Sequence, residues 1–308
     1  MSVYTDLTRE DIEHILAGYS LGELVAFEGI AAGIENSNFF IDTEQGRYVL
    51  TIFERMNPDE LPYFMHLMHH LAGKGFACPD VMARKGGGFL FDVAGKKGCV
   101  VSCLPGRTLD ELSEAQLHSS GAALAALHRA GSDFPERREN PTGMGWLCET
   151  VACVLAGTRE KYGDEAAALL QDELHFQQAC VRDDLPRGVI HGDMFVDNIL
   201  FEGDAVSGVI DFYYAHDAPY AMDIAISLNA QAILLGNDDH ARMQAFLGGY
   251  QQVRRLEQAE KNTLPGLLRL AALRFWVSRL YDALFPRGGA LTQVKDPEEY
   301  RQKLLAHR

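Results

Sequence analysis

Around Leu104-Pro105-Gly106-Arg107-Thr108 the chain changes character, and this break constrains the fold more than any other feature of the sequence. Before it, short apolar segments alternate as strands do. Glu23–Ile30, Asn38–Thr43, Arg47–Glu54, Gly88–Phe91 and Gly98–Cys103 each predict a strand, with turns at Gln45-Gly46 and at Gly95-Lys-Lys-Gly98. One helical stretch, Pro58 to Gly73, carries Leu61, Phe64, Met65, Met68 and Leu71 at helical spacing and ends at a glycine. Beyond the break helix dominates: Ser113–Arg129, Trp146–Tyr162, Glu165–Arg182, and Met222 onward nearly to the end. The expectation is an α+β chain in two parts. Residues 1–103 form an antiparallel five-stranded sheet with one helix laid on it, and residues 104–308 are mainly helical. At 308 residues and 47% hydrophobic content the chain can bury a core of that size.

A net charge of −15 argues against nucleic acid or an anionic membrane as partner, since both attract basic surfaces. It also repels a nucleotide triphosphate at long range, so a nucleotide site must be locally positive or supplied with Mg²⁺. The first residues lack the apolar core of a signal peptide and instead predict a capped helix. Thr8 is its N-cap, Asp11 lies three residues on, and Ile12, Ile15 and Leu16 share one face. The longest apolar candidate, Ala221 to Gly236, is interrupted by Asp223 and Asn229, so no membrane span is expected and the chain reads as soluble and cytoplasmic. Six cysteines without a CxxC pair read as reduced core thiols. His66 and His70 lie one helical turn apart but lack a third ligand, so a solvated helix face is the better account than zinc.

The chemistry concentrates in residues 190–212, which hold His191, Asp193, Asn198 and Asp211 in that order. Val189-Ile190, Ile199–Phe201 and Val206–Ile210 predict short strands, the last two joined by a turn at Glu202-Gly203-Asp204. Asn198 enters this hairpin and Asp211 leaves it, so antiparallel pairing brings both to one end. Phosphoryl transfer needs a base to orient a hydroxyl and oxygen ligands to hold Mg²⁺. Asp193 supplies the first, Asn198 with Asp211 the second. Either motif alone would be an ordinary turn capping a buried strand. The ordered set of four outweighs that account.

With these residues placed, the chain resembles the aminoglycoside phosphotransferase and choline kinase group, relatives of the protein kinases. It is most similar there to the homoserine kinases of the bacterial ThrB type. The resemblance rests on Gly29-Ile-Ala-Ala-Gly-Ile-Glu-Asn-Ser-Asn-Phe-Phe, Tyr48-Val-Leu-Thr-Ile-Phe-Glu, Leu104-Pro-Gly-Arg, the His191–Phe201 segment, and Ile210-Asp-Phe-Tyr-Tyr-Ala followed by Asp223-Ile-Ala-Ile-Ser-Leu-Asn. It implies a protein-kinase-like two-lobe fold and ATP- and Mg²⁺-dependent phosphorylation of the L-homoserine hydroxyl in threonine biosynthesis. Asp193 is then the catalytic base, Asn198 and Asp211 the Mg²⁺ ligands, and His191 a structural histidine of the catalytic loop. Another small hydroxylated amine (choline, an aminoglycoside or methylthioribose) is an alternative substrate class. A non-catalytic pseudokinase is a further one.

The resemblance also assigns a nucleotide site. The turn containing Gly33, Ile34, Asn36 and Ser37 would cover phosphates with backbone amides, though a glycine-containing hairpin turn is the ordinary explanation for such a segment. Val49 and Leu104 would pack on adenine, with the Ser102–Leu104 backbone as hydrogen-bonding edge. The third strand departs from the superfamily, because Thr51 stands where a lysine is expected. The resemblance implies that homoserine kinases of this type share the threonine, and it leaves the phosphate cation unassigned; Arg47 and Arg55 are near in sequence. For the substrate, Asp197, Tyr213 and Asp223 are candidates, with Asp217 and Asn229 beside them. Asp223 reads rather as a helix cap or a partner for the catalytic loop, Tyr213 and Tyr214 equally as packing, and Arg107 equally as a substrate contact or surface. Arg274, Trp276 and Arg279 could close the site from the C-terminal helix.

Overall fold

The computed structural model describes residues 5–30, 36–180, 184–286 and 295–308. By their internal contacts they divide into two compact units. One comprises the residues up to Gly106 together with Ser207–Ile210, and the other comprises Arg107–Val206 and Asp211 onward.

The first unit opens with α1 (Arg9–Leu16), capped as its sequence demands. Thr8 Oγ1 accepts from the Asp11 N–H at 3.2 Å and Asp11 Oδ2 accepts from the Thr8 N–H at 2.8 Å. The strands β1 (Leu24–Ile30), β2 (Asn36–Thr43), β3 (Gly46–Phe53), β4 (Phe91–Val93) and β5 (Lys96–Ser102) form one antiparallel sheet in the order β1-β2-β3-β5-β4. Helix α2 (Leu61–Gly73) lies between β3 and β4 in the chain. Alternation along the strands puts Phe39, Ile41, Leu50 and Ile52 into one core with Ile12, Ile15 and Leu16 of α1. Thr51 and Val49 therefore share the opposite face of β3.

The fourth strand begins at Phe91, three residues later than its sequence suggested, and the turn before β5 is tighter. Val93 pairs with Lys96 across Ala94-Gly95, whose φ values are 49° and 74°. Such a two-residue turn with both φ positive matches the twist of the flanking strands, so Lys96 and Lys97 are strand residues rather than turn residues.

The second unit holds α3 (Glu114–Ala130), α4 (Met144–Tyr162) and α5 (Asp164–Gln178), then β6 (Arg187–Ile190) and β7 (Ile199–Glu202). After β8 (Ala205–Val209) come β9 (His216–Pro219), α6 (Tyr220–Ser227), α7 (Asp239–Val253), α8 (Gln258–Leu284) and α9 (Pro297–Ala306). The expected single C-terminal helical run is broken at several places; α6 passes into one π-helical turn at Leu228–Ala232. Strand β9, which lacks any apolar alternation in its sequence, pairs with β6 through Ile190↔His216 and Val189↔Asp217. Helices α3 and α7 approach so closely that a Cβ on Gly121 would lie 2.0 Å from the Phe246 carbonyl oxygen. One on Gly249 would lie 1.8 Å from that of His118.

All six cysteines are free. Burial pushes the Cys78 and Cys99 thiols up to about 12, so they are inert core groups. Cys153 departs from the expectation: its apolar sequence neighbours are spread around α4, and the thiol side is exposed. Among the described residues no helix is long and apolar enough to cross a membrane, and no group of three or more His, Cys, Asp or Glu side chains could hold a metal. His66 is exposed, as a solvated face requires.

Candidate functional site: a braced catalytic loop

Strand β6 ends at Ile190, and the chain turns at Gly192, whose φ is +76°. A Cβ there would lie 2.9 Å from the Tyr214 carbonyl oxygen and 3.0 Å from a ring carbon of His216, so the position requires glycine. From here to Asn198 the peptide groups are gripped one after another. The His191 and Gly192 N–H groups donate to Asp223 Oδ2 and Oδ1, at 2.7 and 2.9 Å. The Gly192 carbonyl accepts from Arg274 NH1 at 3.0 Å. The Asp193 N–H donates to His191 Nδ1 at 3.3 Å. Asn198 Nδ2 donates to the Asp193 carbonyl at 2.8 Å, and Gln231 Nε2, from the π-helical turn, to the Met194 carbonyl at 2.7 Å.

Asp193 is thus presented on a rigid backbone. Burial raises its carboxyl pKa, against the opposing pull of Arg274 and His191. Asn198 spends its NH₂ on the Asp193 backbone and, at 3.4 Å, on Asp193 Oδ2. Its Oδ1 makes no hydrogen bond among the described residues. Asp211 sits at φ 65°, ψ 66°, a left-handed conformation that Asp tolerates better than most non-glycine residues, and its side chain is exposed. The two donors, a carboxamide oxygen and a carboxylate, are hard oxygens suited to Mg²⁺. That ion takes few protein ligands and completes its shell with phosphates and water.

Behind the loop lies a buried chain of polar groups. Asp223, His128 and Tyr250 are all inaccessible to solvent. His128 Nε2 is 3.0 Å from Asp223 Oδ2 and its Nδ1 is 2.8 Å from the Tyr250 hydroxyl. Arg254 donates to that hydroxyl at 3.1 Å and pairs with Glu260 at 2.9 and 3.1 Å. Burial works to raise the Asp223 pKa, but the hydrogen bond from His128, the nearness of His128 and His191 and the Gly192 N–H outweigh it, holding the carboxyl below its ordinary range. Burial pushes His128 below its usual range, against the pull of Asp223. Both directions describe a neutral histidine donating Nε2–H to a carboxylate while Nδ1 accepts from Tyr250.

The same burial lowers His216 and His307. A histidine whose folded pKa lies below 6.5 adds stability that is present above 6.5 and lost as pH falls toward its folded value. Asp223, depressed below 3.8, adds a loss only at still lower pH. Urea midpoints should therefore decline from pH 7.5 to pH 5.5, and a flat profile would show that these rings are not held neutral.

The remaining substrate candidates occupy varied settings. Asp197 is exposed and lies 3.5 Å from Lys295 Nζ. Tyr213 and Tyr214 are partly buried in the turn after Asp211. Asp223 has no exposed surface, and both its oxygens accept from the His191 and Gly192 N–H groups. Asp217 accepts from the Arg138 N–H and pairs with Arg137, while Asn229 is tied to Leu268, Lys303 and His307. Trp276 is core, and Arg279 anchors α9 through Glu299 at 2.6 Å. Arg274, by contrast, lies against the loop.

In the first unit, Gly33 and Ile34 lie outside the described residues. Asn36 is buried with its Oδ1 unpartnered among the described residues. Ser37 is fully buried and donates to Glu54 Oε1 at 2.5 Å. Glu54 also accepts from Thr5 at 2.7 Å and is ion-paired with Lys96. Sequence reasoning missed this cluster, whose members lie up to 91 residues apart. Thr51 donates to Asn38 Oδ1 at 2.8 Å across the paired strands, so a neutral hydrogen bond fills the position of the absent lysine. Val49 is partly buried, and Leu104 lies close enough to Gly208 to exclude a Cβ there. The Ser102 N–H and hydroxyl are both bonded to the Asp80 backbone, at 2.9 Å each. Arg47 and Arg55 are exposed.

Residues 26–256 match the phosphotransferase enzyme family. The chain is similar to a homoserine kinase of Neisseria meningitidis serogroup B, 43% identical over 99% of both chains. It is 44% identical to one of Methylobacillus flagellatus, over 100% of this chain and 95% of that one. Among solved structures, an amicoumacin kinase in complex with AMP-PNP and Ca²⁺ superposes with a TM-score of 0.66 at 19% identity, covering 97% of this chain and 92% of that one. A spectinomycin phosphotransferase in complex with ADP gives 0.67 at 15% identity, covering 98% and 95%. These two share the protein-kinase-like fold. With a family match across most of its length and full-length identity above 40%, the chain belongs to the phosphotransferase enzyme family, in the group formed by these homoserine kinases.

Proposed function

We propose that this chain is a cytoplasmic ATP- and Mg²⁺-dependent kinase that converts L-homoserine to O-phospho-L-homoserine. The observation that carries the chemistry is the loop in which Asp193 is held by its own peptide neighbours while Asn198 Oδ1 is left for a cation. The substrate rests on full-length similarity to homoserine kinases. One solved structure of the same fold is a complex with AMP-PNP and Ca²⁺ and another a complex with ADP, and the hard-oxygen pair Asn198 and Asp211 fits Mg²⁺.

Asp193 hydrogen-bonds the substrate hydroxyl and takes its proton as the hydroxyl oxygen bonds to the γ-phosphorus and the bond to the ADP oxygen breaks. Bound Mg²⁺ neutralises charge on the phosphates. Fixing the backbone on both sides of Asp193 keeps the base in line at no entropic cost during reaction. For the nucleotide, the proposal retains the backbone near Gly33, Ile34, Asn36 and Ser37 for phosphates and Val49, Thr51, Ser102 and Leu104 around the base and strand. Tyr213 and Asp197 remain proposed substrate neighbours.

A coupled ADP-release assay with L-homoserine, choline, kanamycin and methylthioribose tests the substrate. Turnover restricted to L-homoserine is expected. Turnover with another of the four would move the acceptor, and none at all would favour a nucleotide-binding protein without transfer activity.

A further inference from the structure

Arg274 is 5% exposed, on α8; its guanidinium lies 4.1 Å from the Phe275 ring centroid and 5.6 Å from that of Tyr214, and it hydrogen-bonds two groups: the Thr142 hydroxyl, 3.1 Å from Nε, and the Gly192 carbonyl, 3.0 Å from NH1. Both are neutral. The other buried cations of this unit are compensated differently. Arg279 and Lys303 share Glu299, Arg242 is held by three carbonyls and pairs with Glu111 at 3.5 Å, and the partly buried Arg254 and Arg269 pair with Glu260 and Glu173. Arg274 has no carboxylate within ion-pairing distance among the described residues. Two of the five N–H donors of its guanidinium are spent. A buried charge without a direct ion pair is costly, and burial depresses the Arg274 pKa against the opposing pull of Asp193. Such a cost is sensible where an anion arrives from solution.

Its location says which anion. The carbonyl that Arg274 grips belongs to the peptide linking Gly192 to Asp193, so the guanidinium lies one peptide unit from the base. Asn198, on the metal side, grips the next carbonyl along, that of Asp193 itself. An L-homoserine whose hydroxyl meets Asp193 has its carboxylate carbon four bonds away, roughly 5 Å when extended. A guanidinium bonded to the peptide next to Asp193 is a candidate partner for that end of the substrate. We infer that Arg274 receives the α-carboxylate of the acceptor and makes the enzyme specific for an amino acid over the corresponding amino alcohol. This rests on the homoserine reading and extends it. A planar guanidinium suits a carboxylate through two parallel N–H···O bonds, which an ammonium does not reproduce.

The test compares L-homoserine with 3-aminopropan-1-ol, which is homoserine without its carboxylate, for the wild type, Arg274→Lys and Arg274→Met. The wild type is expected to favour homoserine in kcat/KM by at least ~10³-fold, since a site built to bond a charged group rejects the analogue lacking it. Arg274→Met should raise KM for homoserine and bring the ratio within about tenfold of unity; release of the Gly192 carbonyl lowers kcat/KM for both substrates alike, so the ratio is the quantity that reads the carboxylate contact. Arg274→Lys, which keeps the charge and is the fallback if the Met variant does not fold, should fall between. If both substrates lose equally and the ratio stays at its wild-type value, Arg274 serves the loop or the transferred phosphoryl group and the assignment is overturned. A wild type inert on L-homoserine instead overturns the substrate reading, and this one with it.

Discussion

Asp193→Ala should lower turnover by at least ~10²-fold with the fold intact, because it removes the group proposed to orient and deprotonate the hydroxyl. The backbone clamps on this loop do not involve the Asp193 carboxylate except for the long contact from Asn198, so circular dichroism and the urea midpoint should stay near wild type. Asp193→Asn is the sharper variant, since it preserves volume and removes only the basicity. The sign of its pH behaviour follows from burial. The folded pKa of Asp193 is raised, so the proton that must be absent for catalysis is held to a higher pH than on an ordinary carboxylate. The wild-type kcat/KM should fall on the acid side above the usual carboxylate range, and the residual activity of Asp193→Asn should lack that limb. For stability, the raised pKa means that deprotonation costs the folded state as pH rises from 3.8 through the folded value, so at neutral pH the Asn variant should be no less stable. Full turnover in either variant would remove Asp193 from the mechanism.

Asp223→Ala should give the largest loss of stability, about 3–5 kcal/mol, and take activity with it. Three donors converge on its oxygens: the His191 N–H, the Gly192 N–H and His128 Nε2. All lie in a region with no solvent to replace the lost acceptor. Alanine would leave two peptide N–H groups unpaired at the turn that aims Asp193. Asp223→Asn keeps one acceptor but turns an NH₂ toward a donor, so an intermediate loss is expected. Chemical denaturation gives the stability, and kcat in the folded fraction gives the positioning effect. A variant with a wild-type urea midpoint would show that the loop is held by Arg274, Asn198 and Gln231 alone.

Much of the candidate site was legible because its members are close in sequence. Asp193 and Asn198 are five residues apart, and a two-strand hairpin carries the chain from Asn198 to Asp211. Local turn and strand signals suffice at that range. The capped α1 and the sheet-and-helix composition of the first unit were legible for the same reason. The supports were not. Arg274 reaches the loop across 82 residues, His128 reaches Asp223 across 95, and Gln231 reaches Met194 across 37. Nothing in the neighbourhood of an isolated His or Gln announces such a partner. Strand β9 escaped for a related reason: His-Asp-Ala-Pro has no alternation, and its strand form comes from pairing with β6.

Thr51 marks the boundary between the two kinds of information. Its identity, a hydroxyl where a cation was expected, is plain in the sequence, and so is the order of Asp193, Asn198 and Asp211. These follow from side-chain chemistry and short-range spacing, which fix the class of reaction. That Thr51 is satisfied by Asn38 across the sheet was decided only by tertiary packing. So were the clamping of Asp223 beneath the loop and the burial of Arg274 beside the base without a carboxylate of its own. Burial and hydrogen-bond satisfaction are properties of chain segments brought together from afar.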